Sequence, residues 1–444
     1  MFRLFFPRPP LSTFARVDIE LLLRRNVEVL GRHRAIRSDI VTDISELGLD
    51  RDGSNGFVDA AVAELSERLQ INGRDLQWTV RDDDEFSFAS KYSDDEVEIH
   101  RDAAADPLRT TIEVANQLAH HFWIGQAAPR PLDHHPRTTT LLPIAMGLGV
   151  LASTASLQES HWTAAGYSGW SMSRSGYYSA MEIGYALALM ARLRGETSPR
   201  WMQSLRPDAK KTADAATKFF AKHKAGGGQL LFDAERIPGT DRSTSDLTTW
   251  LAGDDPAFAM AAAYALAKED ALPEVAVEPA KRLAQSKDRE IAVLAIRLLG
   301  RSPAGDTVID STIRSLIGNR VNAIALAALH SASQRSMPIG PFQRRIEKLL
   351  NDPSFDLIPV VELIQRHAAD LAPLSPSVCR QVELAIKFED TEATSALLSV
   401  LAKMSSDPVS EVERCVRNPD TRKIATEHLM RQMADDKPND DSGD

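Results

Sequence analysis

The chain has 444 residues, with 52 basic against 62 acidic side chains and a formal net charge of −10. That length predicts two or three domains of ~100 to 200 residues, and the acidic balance without any Lys/Arg cluster excludes a nucleic-acid partner as an expectation. Two cysteines, Cys379 and Cys415, cannot build a disulfide framework, so a reducing, cytoplasmic setting is expected.

In chain order, residues 1–16 open on an apolar run too short for a secretory h-region and read as a flexible N-terminal segment. Between 17 and 34, Ile19, Leu22, Leu23, Val27 and Leu30 recur at helical spacing, with Gly31 as the stop. A second helix is predicted over 57–69. Strand character follows at 75–80, 86–92 and 97–100, predicting a small α/β layer that ends in a hairpin. The acidic runs between these strands, Asp82-Asp83-Asp84 and Asp94-Asp95, lack the spacing of a cation loop and read as solvated turns.

Asp106-Pro107 then supplies a cap and a first helical residue for a helix through Asn116 to Trp123. After a Pro-rich break at 128–136, two apolar helices are predicted at 140–157 and 179–194. Both fall short of the ~20 residues that cross a bilayer, so no membrane segment is expected. Gly147, Gly149 and Gly184 inside them predict close helix contacts. The aromatic stretch 166–177 between them has no G-x-S-x-G nucleophile elbow and reads as a structural loop. Together, 17–224 form the expected α+β domain.

All six tryptophans and five of the six tyrosines precede Leu251, a shift in composition that marks a domain boundary. Residues 225–253, with Gly226-Gly227-Gly228 and an irregular polar run, read as the linker, since no Walker lysine or dinucleotide spacing follows the glycines. Beyond it, Phe258, Ile291, Ile324 and Leu357 stand one 33-residue period apart, echoed one helical turn later by Ala262, Ala295, Ala328 and Val361. Helix pairs repeating at that period predict an all-α solenoid of the HEAT or armadillo kind over 254–433, and a mostly helical chain overall. The register slips near 371–377 and resumes with Ala396, Leu397 and Val400. Residues 434–444 are acidic and nearly devoid of apolar side chains, so a disordered tail is expected.

One further pattern concerns chemistry. The chain resembles an uncharacterised bacterial family of zinc-metallopeptidase-like proteins that often carry C-terminal HEAT repeats. The resemblance covers residues 17–224 and rests on Gly147-Leu148-Gly149-Val150, Glu159-Ser160-x-Trp162, Ser168-Gly169-Trp170-Ser171, Ser173-Arg174-x-Gly176-Tyr177, and the run from Gly184 to Glu196. It implies that Asn116 stands at the first histidine of an H-E-x-x-H helix, Gln117 at the glutamate base and His120 at the second histidine, with no carboxylate at 136–142 for a third ligand. An amide oxygen is a weak zinc ligand and Gln cannot take a proton from bound water. The expectation is therefore a non-catalytic pseudo-peptidase without a cofactor, whose solenoid surface binds a protein partner.

Two other readings are open. His120, His134 and His135 could form a rearranged zinc site supporting hydrolysis, although adjacent His120 and His121 point about 100° apart on a helix. Alternatively, Asn116, Gln117 and His120 could hold a polar ligand in a retained cleft, against the plainer option that the amides satisfy groups within the fold.

Overall fold

The computed structural model describes residues 9–49, 56–73, 75–82, 89–93, 96–126, 135–164, 167–174, 176–225, 227–239, 242–303 and 305–435. For 125, 126, 135, 157–164, 167–174, 434 and 435 the backbone alone is described. The fold is mostly helical, 69% helix against 4% strand, and the chain divides into two compact units, Met1–Ile237 and Pro238–Asp444.

The first unit opens with helix α1 (Thr13–Leu30), capped by Ser12. It starts inside the stretch expected to be flexible, because Thr13 and Arg16 are already buried and Arg16 lies against Glu20. Residues 1–8 lie outside the described residues. Gly31 does stop α1, and a short second helix α2 (Arg32–Arg37) follows directly. Helix α3 (Phe57–Leu69) matches its expected range.

Strands β1 (Gln77–Arg81), β2 (Ser90–Ser93) and β3 (Glu96–His100) form a three-stranded sheet in the order β1-β3-β2. The β2–β3 pair is the expected antiparallel hairpin, with Tyr92 opposite Val97, while β1 runs parallel to β3. Central β3 buries Val97 and Ile99 completely, as the alternation in Glu96-Val97-Glu98-Ile99 requires.

A single turn, α4 (Arg101–Ala104), leads to α5 (Pro107–His121). The side chain of Asp106 accepts from the N–H groups of Leu108 (3.0 Å) and Arg109 (3.2 Å), and Pro107 takes the first turn. Ile112, Val114, Ala115, Leu118 and Ala119 give α5 its buried face. Gly73 makes room for Leu118, whose Cδ2 would lie 2.2 Å from an added Cβ.

The predicted apolar helix at 140–157 is instead two helices, α6 (His135–Pro143) and α7 (Gly149–Ala155), joined by a wider turn, Ile144–Leu148. The break is at Gly147, whose φ of 95° no helix accommodates. The combined stretch Pro136–Ala155 is 20 residues long, longer than expected, and by length and composition alone could cross a membrane. In the fold 83% of its apolar window is buried among the other helices.

A second correction follows α7. Residues expected to end a helix and form an aromatic loop are an antiparallel pair, β4 (Leu157–Ala164) and β5 (Tyr167–Arg174), in register from Leu157 opposite Arg174 to Ala164 opposite Tyr167. Helix α8 (Ala180–Leu193) carries a complete capping box between Ser179 and Glu182 and packs on α9 (Pro207–Ala225). That approach needs Gly184, since an added Cβ would lie 2.2 Å from the Ala209 carbonyl oxygen. Gly149 is likewise close to Leu187, so the predicted role of small residues in these helices holds.

The stretch expected to be a linker is largely ordered structure. Leu230, Leu231 and Phe232 are buried in the first unit, and Leu231 donates its N–H to Glu20 Oε2 at 2.8 Å. Buried apolar anchors so close to the glycines override the composition that suggested a linker.

The second unit is helical throughout its described residues: α10 (Thr244–Ala252), α11 (Pro256–Leu266), α12 (Glu274–Ala284), α13 (Arg289–Gly300), α14 (Thr307–Ile317), α15 (Asn322–Gln334), α16 (Gln343–Leu350), α17 (Ile358–Arg366), α18 (Ser375–Lys387), α19 (Thr391–Met404), α20 (Pro408–Cys415) and α21 (Pro419–Asp435). α10 lies within the expected linker, and α21 extends into the expected tail, of which 436–444 lie outside the described residues. Helices α11, α13, α15, α17, α19 and α21 each pack on the next. Ala262, Ala295, Ala328 and Val361, at equivalent points of four of them, are all buried. A polar ladder at nearly the same period ties successive turns of chain. Arg301 donates to the carbonyls of Ala267 and Glu269, Arg335 to those of Ser302 (2.7 Å) and Pro303 (2.8 Å), and Ser331 to that of Ile296 (2.9 Å).

Candidate functional site

The sequence-selected residues lie on the last two turns of α5, facing β2 on one side and the wall formed by α6, α7 and the turn before α8 on the other. The sheet side carries a hydrogen-bond chain. Gln117, 5% exposed, donates its Nε2 to Ser90 Oγ at 2.5 Å, and Ser90 Oγ donates to Glu113 Oε2 at 2.5 Å. Gln117 Oε1 is buried without a protein partner among the described residues. One turn on, Tyr92 OH and His121 Nδ1 are 3.0 Å apart, and the Tyr92 ring lies 6.5 Å from that of His120.

Asn116 points the other way. Among the described residues the space beside it is a cavity of about 30 Å³, lined by Arg109, Glu113, Thr140, Ser156, Tyr177 and Tyr178 with several apolar side chains. Such a volume admits a water or two, not a peptide side chain. Its far wall is held by a charged cluster: Asp18 Oδ2 accepts from Tyr178 OH (3.0 Å) and from Arg137 Nε (3.0 Å), and the Arg137 guanidinium lies 4.8 Å from the Tyr178 ring centre. Burial, reinforced by Asp18, pushes the Tyr178 phenol far above its ordinary value, so it stays a neutral donor.

Among the described residues, the donors on this helix do not converge as zinc ligands would. Asn116 and Gln117 bring neutral amides, and the Gln117 nitrogen is already donating to Ser90. Glu113 and His120 are seven residues apart on one helix, roughly 10 Å along its axis at 1.5 Å per residue, whereas zinc ligands approach to about 2 Å. No three His, Cys, Asp or Glu side chains converge on one point among the described residues. His134 lies outside the described residues, and the backbone alone is described for His135 and His161.

Sequence reading singled out Asn116, Gln117 and His120 but missed Glu113, Ser90 and Tyr92. The available signal was a polar row Glu113-Gln117-His121 at four-residue spacing on an otherwise apolar helix face. Glu113 is also the titratable group of the site. Burial pushes its carboxyl up from the ordinary 4.5, against the opposing pulls of the Ser90 hydrogen bond and the Arg109 charge. A raised folded-state pKa gives stability that is present below the unfolded value and lost as pH rises through the folded one. Glu113→Gln keeps an acceptor for Ser90 without the charge. It is therefore expected to match the natural protein near pH 4 and to exceed it by about 1 kcal/mol at pH 8, the scale of an imperfectly compensated buried polar group. Urea unfolding of both proteins at the two pH values measures this. A pH-independent difference would separate Glu113 from the effect.

No family model matches the chain, and no curated protein matches it either.

Proposed function

We propose that this chain is a non-catalytic, pseudo-peptidase protein whose second unit acts as a HEAT-like solenoid presenting a surface to a protein partner in a reducing cytoplasm. The observation that carries the reading is the Gln117–Ser90–Glu113 chain. Where the resemblance implies a glutamate base beside a metal-bound water, this helix has an amide engaged with the sheet. The small cavity at Asn116 among the described residues supports the same reading, because a peptidase needs an open cleft beside its helix. In the second unit, the 33-residue recurrence of buried alanines and the carbonyl-binding arginines support a repeat array, and such arrays bind partners along an extended face.

The test is metal content and activity of the full chain. Mass spectrometry of the purified protein is expected to find zinc well below one ion per chain, with no change in His120→Ala, and a peptide library is expected to remain uncleaved. One zinc per chain that His120→Ala removes, accompanied by cleavage, would overturn the reading.

A further inference from the structure

The described residues of the second unit include a cavity of about 610 Å³ between α18 and the end of α20, lined by Pro376, Arg380, Glu383, Arg414, Cys415 and Arg417. Three guanidinium groups on one cavity are unusual in a chain of net charge −10. What distinguishes them is the state of the nearby carboxylates. Glu383 Oε1 accepts the backbone N–H groups of Arg417 and Asn418. Glu411 accepts from the Ser375 hydroxyl (2.6 Å) and from Arg414 through both oxygens (2.7 and 2.6 Å), with the Cys415 thiol at 3.4 Å. Both carboxylates are thus occupied within the fold. Arg380 and Arg417 have no side-chain partner among the described residues. Arg422 in turn covers the carbonyls of Val416 (2.9 Å) and Arg417 (3.3 Å), which removes acceptors from the rim.

The cavity lining therefore brings three guanidiniums against the single carboxylate of Glu383, one oxygen of which is already engaged, and is net positive. We propose that it binds a phosphate-bearing small molecule, with Arg380 and Arg417 as the primary contacts and Arg414 held in place beside them by Glu411. A phosphate monoester carries about two negative charges at neutral pH, opposite in sign to the net positive lining, and its oxygens suit the forked donors of Arg380 and Arg417. The volume lies in the range of small-ligand sites, ~300 to 1,000 Å³.

Pyrophosphate is the probe, titrated calorimetrically into the full chain at about 0.15 M salt, where contacts beyond ~8 Å are screened. Binding is expected, weakened at least about tenfold in Arg380→Ala/Arg417→Ala, a loss of ~1.4 kcal/mol. Both arginines are exposed, so the variant should fold. Cys415 provides a local reporter, since it lines the cavity while Cys379 is fully buried. Pyrophosphate is expected to slow alkylation of Cys415 in the natural protein and not in the double variant. The proposal fails if no binding is detected, if the double variant binds equally well, or if an oligoglutamate peptide binds more tightly than pyrophosphate. None of these outcomes depends on the zinc content of the first unit.

Discussion

Glu20→Ala is expected to destabilise the first unit by about 4 kcal/mol, within the ~3–5 kcal/mol that follows removal of one partner from a buried ion pair. Glu20 is fully buried on α1, and each of its oxygens is engaged. Oε1 accepts from Tyr185 OH at 2.6 Å and from Arg16 Nη2 at 3.4 Å, while Oε2 accepts from the Leu231 N–H at 2.8 Å. Truncation removes the carboxylate facing the Arg16 guanidinium, whose side chain is 6% exposed, and takes the acceptor from a phenol and a backbone N–H. Arg16 would retain its position 4.7 Å from the Phe219 ring centre and a long contact with Tyr185, neither of which replaces a carboxylate. Since a whole domain is typically stable by ~5–15 kcal/mol, the loss would be visible in the first urea transition. Glu20→Gln, which keeps the shape and one acceptor, should lose less. Amide exchange at Leu231 separates this account from a general loosening. That proton should exchange faster in Glu20→Ala by a larger factor than amides in the middle of α5.

Legibility of the fold in the sequence followed the range of the forces involved. Helix α5 was readable because its signals are local: Asp106 caps, Pro107 starts the turn, and Ile112, Ala115, Leu118 and Ala119 fall on one face. The helical character of the second unit was readable because Ala262, Ala295, Ala328 and Val361 recur at near-helical multiples along the chain and are all buried. The β4–β5 pair was not recognised, although Trp162, Thr163, Tyr167 and Trp170 favour strands and Ala165-Gly166 separates the two runs; the apolar periodicity upstream outweighed it. Nor could local composition show that Leu231 answers to Glu20, 211 residues earlier. The same holds for the candidate site. Asn116, Gln117 and His120 were visible as a spacing, whereas the acceptor for Gln117 comes from Ser90 on a strand, and the helical row Glu113-Gln117-His121 does not say which strand residue it meets. The two unpaired arginines of the second unit were equally silent, because their significance depends on which carboxylates nearby are already occupied.

Gly147→Ala is the other substitution with a large expected effect, about 4 kcal/mol, and its size can be divided experimentally. Gly147 has φ 95° and ψ 1°, a region in which an L side chain is strained by ~1–2 kcal/mol. An added Cβ would also lie 2.1 Å from the Asp39 carbonyl oxygen and 3.0 Å from its carbon. Both obstacles are backbone atoms, and the chain beside them is fixed by the Val41 N–H, which donates to the Gly147 carbonyl at 2.9 Å. Relief requires moving the strap that follows α2 away from the turn between α6 and α7, and overpacking of this kind costs ~1–3 kcal/mol more. Gly56 supplies the comparison. Its φ of 103° and ψ of −3° are close to those of Gly147, yet an added Cβ meets nothing within 4 Å, so Gly56→Ala should carry the conformational cost alone, about 1–2 kcal/mol. The difference between the two variants in urea unfolding then measures the steric part at Gly147. Equal losses would mean that the Asp39 strap yields freely. A loss several-fold greater at Gly147 would establish that the broken apolar stretch Pro136–Ala155 is locked against its neighbours through the one residue that lets the backbone turn.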